Sequence, residues 1–317
     1  MTHDRRRGAL GLGLAVLSAA TFGTSGTFAD ALMQTGWTPG AVVTLRISVA
    51  AVLLTVPGLL AMRGKWGLLR QSLRSVLAFG FVAVAACQVL YFSAIRRLDI
   101  GVALLLEYSG ILLVVGWMWL RHGHRPRRLT VAGGVAAVFG LVLVLNPSGG
   151  GIDPIGVLWG LLAACGLAAY FVMSSRADDQ LPPIALAWTA MVVGATTLIV
   201  LDLVHVVPFE MHTSDVVLAG HRTTWLVPIV GLSLIAAAIA YAAGIGAARL
   251  LGAKLASFVG LTEVLFAVLF AWIALSQTPT PVQLVGGVAV LAGIALVRVD
   301  EAEPAPAAAP ELEPAGS

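Results

Sequence analysis

The stretch Gly101–Leu120, GVALLLEYSGILLVVGWMWL, is long and apolar enough to cross a lipid bilayer, yet its interior carries a carboxylate, Glu107. A transmembrane helix needs about 20 mostly apolar residues, and an ionisable side chain among them is costly and commonly functional. A second stretch, Ala253–Leu275, repeats the arrangement with one acid, Glu263. These two acids give the first hypothesis for a functional site.

The composition excludes an ordinary soluble protein. Of the 317 residues, 59% are hydrophobic and 11% are charged, whereas soluble domains carry about 25% charged residues. The net charge of +3 does not indicate a nucleic-acid partner, because the basic residues cluster in short loops between apolar segments. The chain is therefore predicted to be an all-α polytopic membrane protein, and its environment is a lipid bilayer.

Ten transmembrane helices are predicted, at about 9–31, 40–62, 74–95, 100–120, 128–146, 154–174, 183–205, 224–248, 253–275 and 281–299. Two basic clusters, at 63–74 and 121–128, fall on one side of the membrane if the N-terminus is inside. The positive-inside rule then predicts a bacterial cytoplasmic membrane protein with both termini cytoplasmic. Arg96-Arg97 is the exception, since this pair would be external.

Two polar segments complete the predicted topology. The longest external loop, about 206–223, is polar enough to sit in water. The segment 300–317 is rich in Ala, Pro and Glu without an apolar face, so it is predicted to be a disordered cytoplasmic tail.

An internal repeat divides the chain. An offset of 153 residues aligns Arg96–Val144 with Arg249–Val297 without a gap, and it superimposes Trp119 on Trp272, Pro126 on Pro279, Gly133-Gly134 on Gly286-Gly287 and Gly140 on Gly293. Each half, 8–146 and 154–299, contains five predicted spans. An odd number inverts the second half relative to the first, an arrangement typical of secondary transporters with a substrate site near the midplane.

These segments resemble a known family. LEYSGILLVVGWMWL at 106–120, the long match at 261–297 and the Thr44-Leu45-Arg46 pattern are similar to signature helices of EamA-type transporters, in the drug/metabolite transporter superfamily. The LEYSG phrase resembles the threonine/homoserine exporter branch. The family often has proline where Ile111 and Val264 stand, so this chain lacks the usual reason for a kink in either helix.

Several residues are candidates for binding substrate or protons. Glu107 and Glu263 could carry protons or bind a cation, or serve as protonated acids that join helices. Arg46 could bind a substrate carboxylate, pair with an acid or extend to the interface. Six further polar or aromatic residues could line a cavity or pack between helices: Gln88, Tyr91, Tyr108, Tyr170, Trp188 and Tyr241.

No metal or cofactor is predicted. Asp202 and His205 lack a third ligand, and Cys87 and Cys165 have no metal-ligand spacing, so both cysteines are interpreted as small buried hydrophobes. No nucleotide-binding or metalloprotease motif appears in the sequence.

The sequence thus predicts a secondary transporter and not an enzyme. It would export a small metabolite, such as an amino acid or related compound, by alternating access with protons as the coupling ion. An importer or an exporter of organic cations is the alternative within transport. An intramembrane enzyme and a non-transporting scaffold are the alternatives from other classes. The oligomeric state stays open, with a homodimer among the options.

Overall fold

The fold is a bundle of apolar helices. The computed structural model describes residues 2–98, 100–123, 126–145, 153–176, 181–275 and 278–302. The predicted link at 146–151 and most of the predicted tail lie outside these residues. The first half consists of α1 Thr2–Gly23, α2 Ser25–Met33, α3 Pro39–Leu53, α4 Thr55–Ala61, α5 Trp66–Gln71, α6 Leu73–Ala78, a π-helical segment Phe79–Ala86, α7 Cys87–Ile95, α8 Ile100–Tyr108, α9 Gly110–His122 and α10 Arg128–Leu145.

The second half contains the counterparts of these elements and one addition. It consists of α11 Pro154–Ser174, α12 Pro183–Leu203, β1 Val216–Leu218, β2 His221–Thr223, α13 Leu226–Ser233, a π-helical segment Leu234–Ile239, α14 Ala240–Gly260, α15 Thr262–Leu275 and α16 Pro281–Ala302. The addition is the antiparallel hairpin β1–β2, which lies in a loop that was predicted to be simply polar.

The helices account for ten membrane spans once their breaks are considered. By length and hydropathy, the described residues contain eight helices that can cross a membrane, and a ninth if α3 and α4, bent by 47°, count as one. The candidate Leu226–Gly260 has 35 residues, far more than the 20 that one crossing needs. It is interrupted at Gly252, where φ is 79° and ψ is 165°. Span 8 therefore ends near Gly252, and span 9 continues through α15.

The two halves are related by an in-plane two-fold axis. Spans 5 (α10) and 10 (α16) pack against each other, with Gly133 opposite Gly293 and Gly140 opposite Gly286. Residue numbers therefore rise along one helix as they fall along the other, so these helices are antiparallel. Because Gly133 is the repeat equivalent of Gly286, and Gly140 of Gly293, each helix contacts its counterpart through the same positions. This confirms the fold class of two inverted five-helix repeats.

The remaining spans follow the same symmetry. Span 1 (α1, α2) packs on α15 of span 9, and its counterpart α11 (span 6) packs on α8 and α9 of span 4. The π-helical segments lie in spans 3 and 8, which occupy equivalent places in the two halves. The π-helical segment of span 3 packs against span 7, and that of span 8 packs against span 2, so each contacts the other half. Such segments are rare and occur often at functional sites.

Spans 4 and 9 are both broken, although neither carries the family's proline. Span 4 is interrupted at Ser109, between α8 and α9, and span 9 at Leu261, between α14 and α15. The Ser109 hydroxyl donates to the carbonyl of Leu106 at 2.5 Å, and the Thr262 hydroxyl donates to that of Val259 at 2.7 Å. Ser109 and Thr262 are equivalent in the repeat. Both hydroxyl groups therefore bond back to a carbonyl three residues earlier, at equivalent positions of the two halves.

The last helix extends slightly into the segment that was predicted to be a tail. Helix α16 continues to Ala302, and Asp300 is only 4% exposed. Its carboxylate accepts from the Thr130 hydroxyl and lies 3.6 Å from the ammonium of Lys254. The residues that hold Asp300 belong to spans 5 and 9, so it closes one end of the bundle. This is the end that also carries the basic loop 63–74, and it is called the basic end below.

The loop after span 7 is docked on the bundle at the opposite end. The Trp37 indole donates to the carbonyl of His212 at 2.7 Å, and the Thr38 hydroxyl donates to that of Pro208 at 2.8 Å. Val216, in β1, is fully buried with apolar residues of spans 1, 2 and 8. The loop therefore spans the two halves and is not a free polar connection.

Candidate functional site

The two acids singled out in the sequence lie near each other inside the bundle. Glu107, in α8, and Glu263, in α15, are close enough to interact electrostatically with each other and with Arg46. Both lie deep among protein atoms, yet each keeps an intermediate share of accessible surface. The inverted repeat produces this meeting, because it places spans 4 and 9 at matching positions.

Glu107 is held by a side chain that was not predicted to matter. The thiol of Cys87 lies 3.5 Å from Oε1 of Glu107 and 3.6 Å from the carbonyl oxygen of Ala163. Tyr91, one turn further along α7, also interacts electrostatically with Glu107. Cys87 lies four residues before Tyr91, and residues four apart share one face of a helix. This spacing from a predicted site residue is the sequence signal that could have identified Cys87.

Glu263 is held by a residue of the other half. The hydroxyl of Tyr108 interacts electrostatically with the Glu263 carboxylate. Because Tyr108 directly follows Glu107, the end of α8 contributes to the surroundings of both acids. Each acid therefore has one polar neighbour: for Glu107 the thiol of Cys87, which is a weak donor, and for Glu263 the phenol of Tyr108.

Arg46 supplies the positive charge of the site. It lies in α3, only 7% exposed, and one Nη donates to the carbonyl of Ala236 in the π-helical segment of span 8. Its guanidinium carbon lies 5.8 Å from the centroid of the Phe22 ring. The Nε–H has no hydrogen-bond partner among the described residues. A buried, unpaired guanidinium N–H is costly unless it receives an acceptor, so Arg46 has one donor available for a ligand.

Aromatic side chains surround these groups. The ring of Tyr241 lies 5.2 Å from that of Phe22 and 5.6 Å from that of Tyr170, in edge-to-face arrangements. Tyr241 also interacts electrostatically with Gln88, its equivalent in the repeat. The Tyr170 hydroxyl is buried with no hydrogen-bond partner among the described residues. These residues come from spans 1, 3, 6 and 8, so both halves contribute.

Trp188 lies apart from this group. Its indole donates to the Thr55 hydroxyl at 3.2 Å, and its ring packs on Gly58 in α4. It therefore contacts span 2 below the 47° bend, towards the basic end. The other eight predicted residues (Glu107, Glu263, Arg46, Tyr108, Tyr91, Gln88, Tyr241 and Tyr170) are linked by the contacts described above. Together with Cys87 and Phe22 they are called the central cluster.

A separate cavity of about 530 Å³ lies at the end of the bundle opposite the basic end. Its described lining residues are Ser93, Arg96, Arg97, Asp153 and Trp159, and none of them belongs to the central cluster. Nη1 of Arg97 lies 3.1 Å from Oδ2 of Asp153. The backbone N–H of Gly156 and the Arg97 guanidinium lower the pKa of Asp153. The Arg96-Arg97 pair, exceptional for topology, is thus partly neutralised.

The described residues contain no group of three or more His, Cys, Asp or Glu side chains that could hold a metal ion. A ring nitrogen of His205 lies 3.3 Å from the main-chain carbonyl oxygen of Asp202. This contact does not involve the Asp202 carboxylate.

Comparisons with known proteins agree with this geometry. The model of the EamA-like transporter family matches residues 9–146 and again 154–299. A protein of Archaeoglobus fulgidus described as an uncharacterized transporter is 25% identical over 224 residues, which cover 71% of this chain and 75% of that protein. A solved crystal structure shares the fold with a TM-score of 0.75 at 20% identity, over 92% of this chain and 97% of that chain. The family model covers nearly all of the chain, and the protein is therefore a multi-pass membrane transporter that belongs to the EamA-like transporter family.

Proposed function

We propose that this transporter exports a small zwitterionic metabolite, such as an amino acid or a related compound, across the bacterial cytoplasmic membrane in exchange for protons. The observation that carries the proposal is the central cluster. It combines one buried guanidinium, whose Nε–H has no partner among the described residues, with two glutamates that interact with it electrostatically.

The charges of the central cluster match those of an amino acid. A carboxylate can accept from the Nε–H of Arg46, because guanidinium groups bind carboxylates through short, charge-assisted hydrogen bonds. The ammonium group of the same ligand would then lie among the oxygens of Glu107 and Glu263. The rings of Tyr241 and Phe22 would cover the apolar part of the ligand. A ligand of this kind satisfies groups that otherwise lack partners.

The inverted halves support alternating access. Two related five-helix units can open one end of the bundle and then the other around a fixed midplane site. The central cluster receives residues from both halves, so such a motion would change its access without dismantling either half. The domains 8–146 and 154–299 are the proposed moving units, and residues after 302 are proposed to form a cytoplasmic tail.

Proton coupling is supported by the two acids. A carboxylate in a poorly solvated site can exchange its proton for a cargo ammonium group, so that binding one releases the other. With the basic end in the cytoplasm, both termini are cytoplasmic, as the positive-inside rule requires. Proton entry from the opposite side would then drive cargo outward.

Transport by purified protein in liposomes tests the proposal. We expect uptake of labelled amino acids to depend on a pH gradient, and Glu107→Gln to abolish this dependence. Arg46→Lys keeps the charge but loses the planar fork, so we expect a rise in KM of at least ten-fold. Asp30→Asn is the matched control, because Asp30 is an acid of span 1 that is bonded to Gln34. Normal pH-dependent transport by Glu107→Gln would refute the coupling.

An exporter of organic cations is the second candidate. It is favoured by the rings of Phe22, Tyr170 and Tyr241 beside two acids, since aromatic faces and carboxylates both attract cations. A competition assay separates the candidates. Organic cations that lack a carboxylate should compete poorly if Arg46 binds the ligand, and they should compete well if only the acids do. The same liposomes, loaded with substrate, show whether the direction is import or export.

A further inference from the structure

We infer that Cys87 is a positioning residue for Glu107, whose thiol donates alternately to the Glu107 carboxylate and to the Ala163 carbonyl and so couples the state of the acid to span 6. This inference rests on the proposed function, because it concerns the same central cluster. Cys87 is buried, as the sequence predicted, and the inference gives it a polar role as well, whereas the prediction was wrong for Cys165, which is exposed.

The thiol has two acceptors and one hydrogen. Its sulfur lies 3.5 Å from Oε1 of Glu107 and 3.6 Å from the oxygen of Ala163. The side chain is only 4% exposed, so water has little access to it. A thiol donates one hydrogen bond, and it can therefore satisfy only one of these oxygens at a time. The two acceptors lie on different spans, Glu107 on span 4 and Ala163 on span 6.

The helices around the thiol leave little space for adjustment. A Cβ added at Gly166 of span 6 would lie 2.8 Å from Cβ and 3.1 Å from Sγ of Cys87. A glycine is therefore needed where span 6 passes the thiol. Cys87 is also the first residue after the π-helical segment Phe79–Ala86. Cys87 therefore lies directly at the contact between spans 3 and 6.

The choice between acceptors depends on Glu107. An ionised carboxylate is the stronger acceptor, because hydrogen bonds to charged groups are shorter and stronger than neutral ones. A carboxylate that holds a proton or a cargo ammonium competes less well for the thiol, which then turns to Ala163. Glu107 also faces Glu263 from span 9, Arg46 from span 2 and Tyr91 from span 3, and these groups share in setting its charge.

Alkylation with N-ethylmaleimide is the first test, since this reagent can reach the buried Cys87 thiol only when the transport cycle opens the bundle. The chain has two cysteines, and Cys165 is exposed on span 6, so each serves as the reference for the other. In the Cys165→Ala variant, we expect alkylation to inhibit transport and saturating substrate to slow it several-fold. In the Cys87→Ala variant, we expect the labelling rate of Cys165 to be unaffected by substrate. Substrate-insensitive labelling of Cys87 would overturn the inference.

The pH profile of transport is the second test, and a merely structural residue would not move it. Cys87→Ser keeps one hydrogen and should leave the midpoint of the profile nearly unchanged. Cys87→Ala removes the donor and should shift the midpoint by about one pH unit towards alkaline pH, a ten-fold change in proton concentration. Equal midpoints for the two variants would overturn the inference.

The two proposals fail in different ways. If wild-type liposomes show transport without any pH dependence, the proton coupling is wrong, while protection of Cys87 by substrate still reports on its place beside Glu107. If transport is pH-dependent but both cysteine tests are negative, only the inference about Cys87 is wrong. Should Cys87→Ala fail to fold, the labelling test on native Cys87 in the Cys165→Ala protein still decides.

Discussion

Substituting alanine for Gly133 or Gly286 should destabilise the protein, whereas substituting alanine for the adjacent Gly134 or Gly287 should not. A Cβ at Gly133 would lie 2.7 Å from the carbonyl oxygen of Gly293, and a Cβ at Gly286 would lie 2.7 Å from that of Gly140. Carbon–oxygen contacts between helices are normally about 3.3 to 3.6 Å. Spans 5 and 10 would therefore have to separate by roughly 0.6 to 0.9 Å.

The magnitude follows from this overlap. Extra atoms in a packed interior cost about 1 to 3 kcal/mol, and the overlapping atoms are main-chain atoms that cannot rotate away. At Gly134 and Gly287 the nearest atoms lie 3.8 and 3.4 Å from the added Cβ, and they belong to side chains. Substitution there should change the free energy of unfolding by no more than about 0.5 kcal/mol.

Unfolding in detergent micelles measures the difference. The four single variants should divide into two pairs, with Gly133→Ala and Gly286→Ala losing similar amounts because they are equivalent positions. Equal stability of Gly133→Ala and Gly134→Ala would refute the reasoning about close approach. A large loss at Gly133 and none at Gly286 would refute the two-fold relation of the contact.

Two other predictions concern the ends of the bundle. Because the pKa of Asp153 is lowered in the folded protein, its contribution to stability is present at neutral pH and lost as the pH falls through that lowered value. Melting temperatures measured against pH should show this loss for the wild type and not for Asp153→Asn, which still caps the helix but no longer pairs with Arg97. At the basic end, Lys254→Met should cost up to about 3 kcal/mol, because Asp300 is buried and loses its ion pair. Adding Asp300→Asn should recover most of it, and no recovery in the double variant would contradict the pairing.

The sequence was sufficient to predict the fold class, because the repeat is marked by matching tryptophan, proline and spaced glycine residues. Two apolar segments rarely share such residues by chance. The coincidence of Gly133 with Gly286 and of Gly140 with Gly293 indicated a repeat, and the same glycines form a close contact between its two halves. The central cluster was also largely accessible to prediction. An acid such as Glu107 within an apolar span stands out, since ionisable side chains are rare there.

Other features depend on contacts that no local pattern encodes. The interruption at Ser109 coincides with a hydroxyl that bonds to a carbonyl three residues earlier, and serine in an apolar helix is too common to indicate it. Cys87 resembles any small apolar residue until the repeat brings Glu107 beside it. Asp300 was assigned to the tail by composition, although Lys254 and Thr130, distant in sequence, bury it.

The docked loop at 206–223 has a consequence for the resting state of the carrier. Two interchangeable halves would give end states of equal free energy, equally populated without a gradient. The bonds from Trp37 and Thr38 to this loop join the halves at one end of the bundle only. Under the proposed alternating access, opening at that end would break them, whereas opening at the basic end would break the contacts that Thr130 makes with Asp300 and Lys254. Each 1.4 kcal/mol of difference between these sets of contacts changes the ratio of the two populations about ten-fold. The two membrane faces would then have unequal apparent affinities for the same cargo.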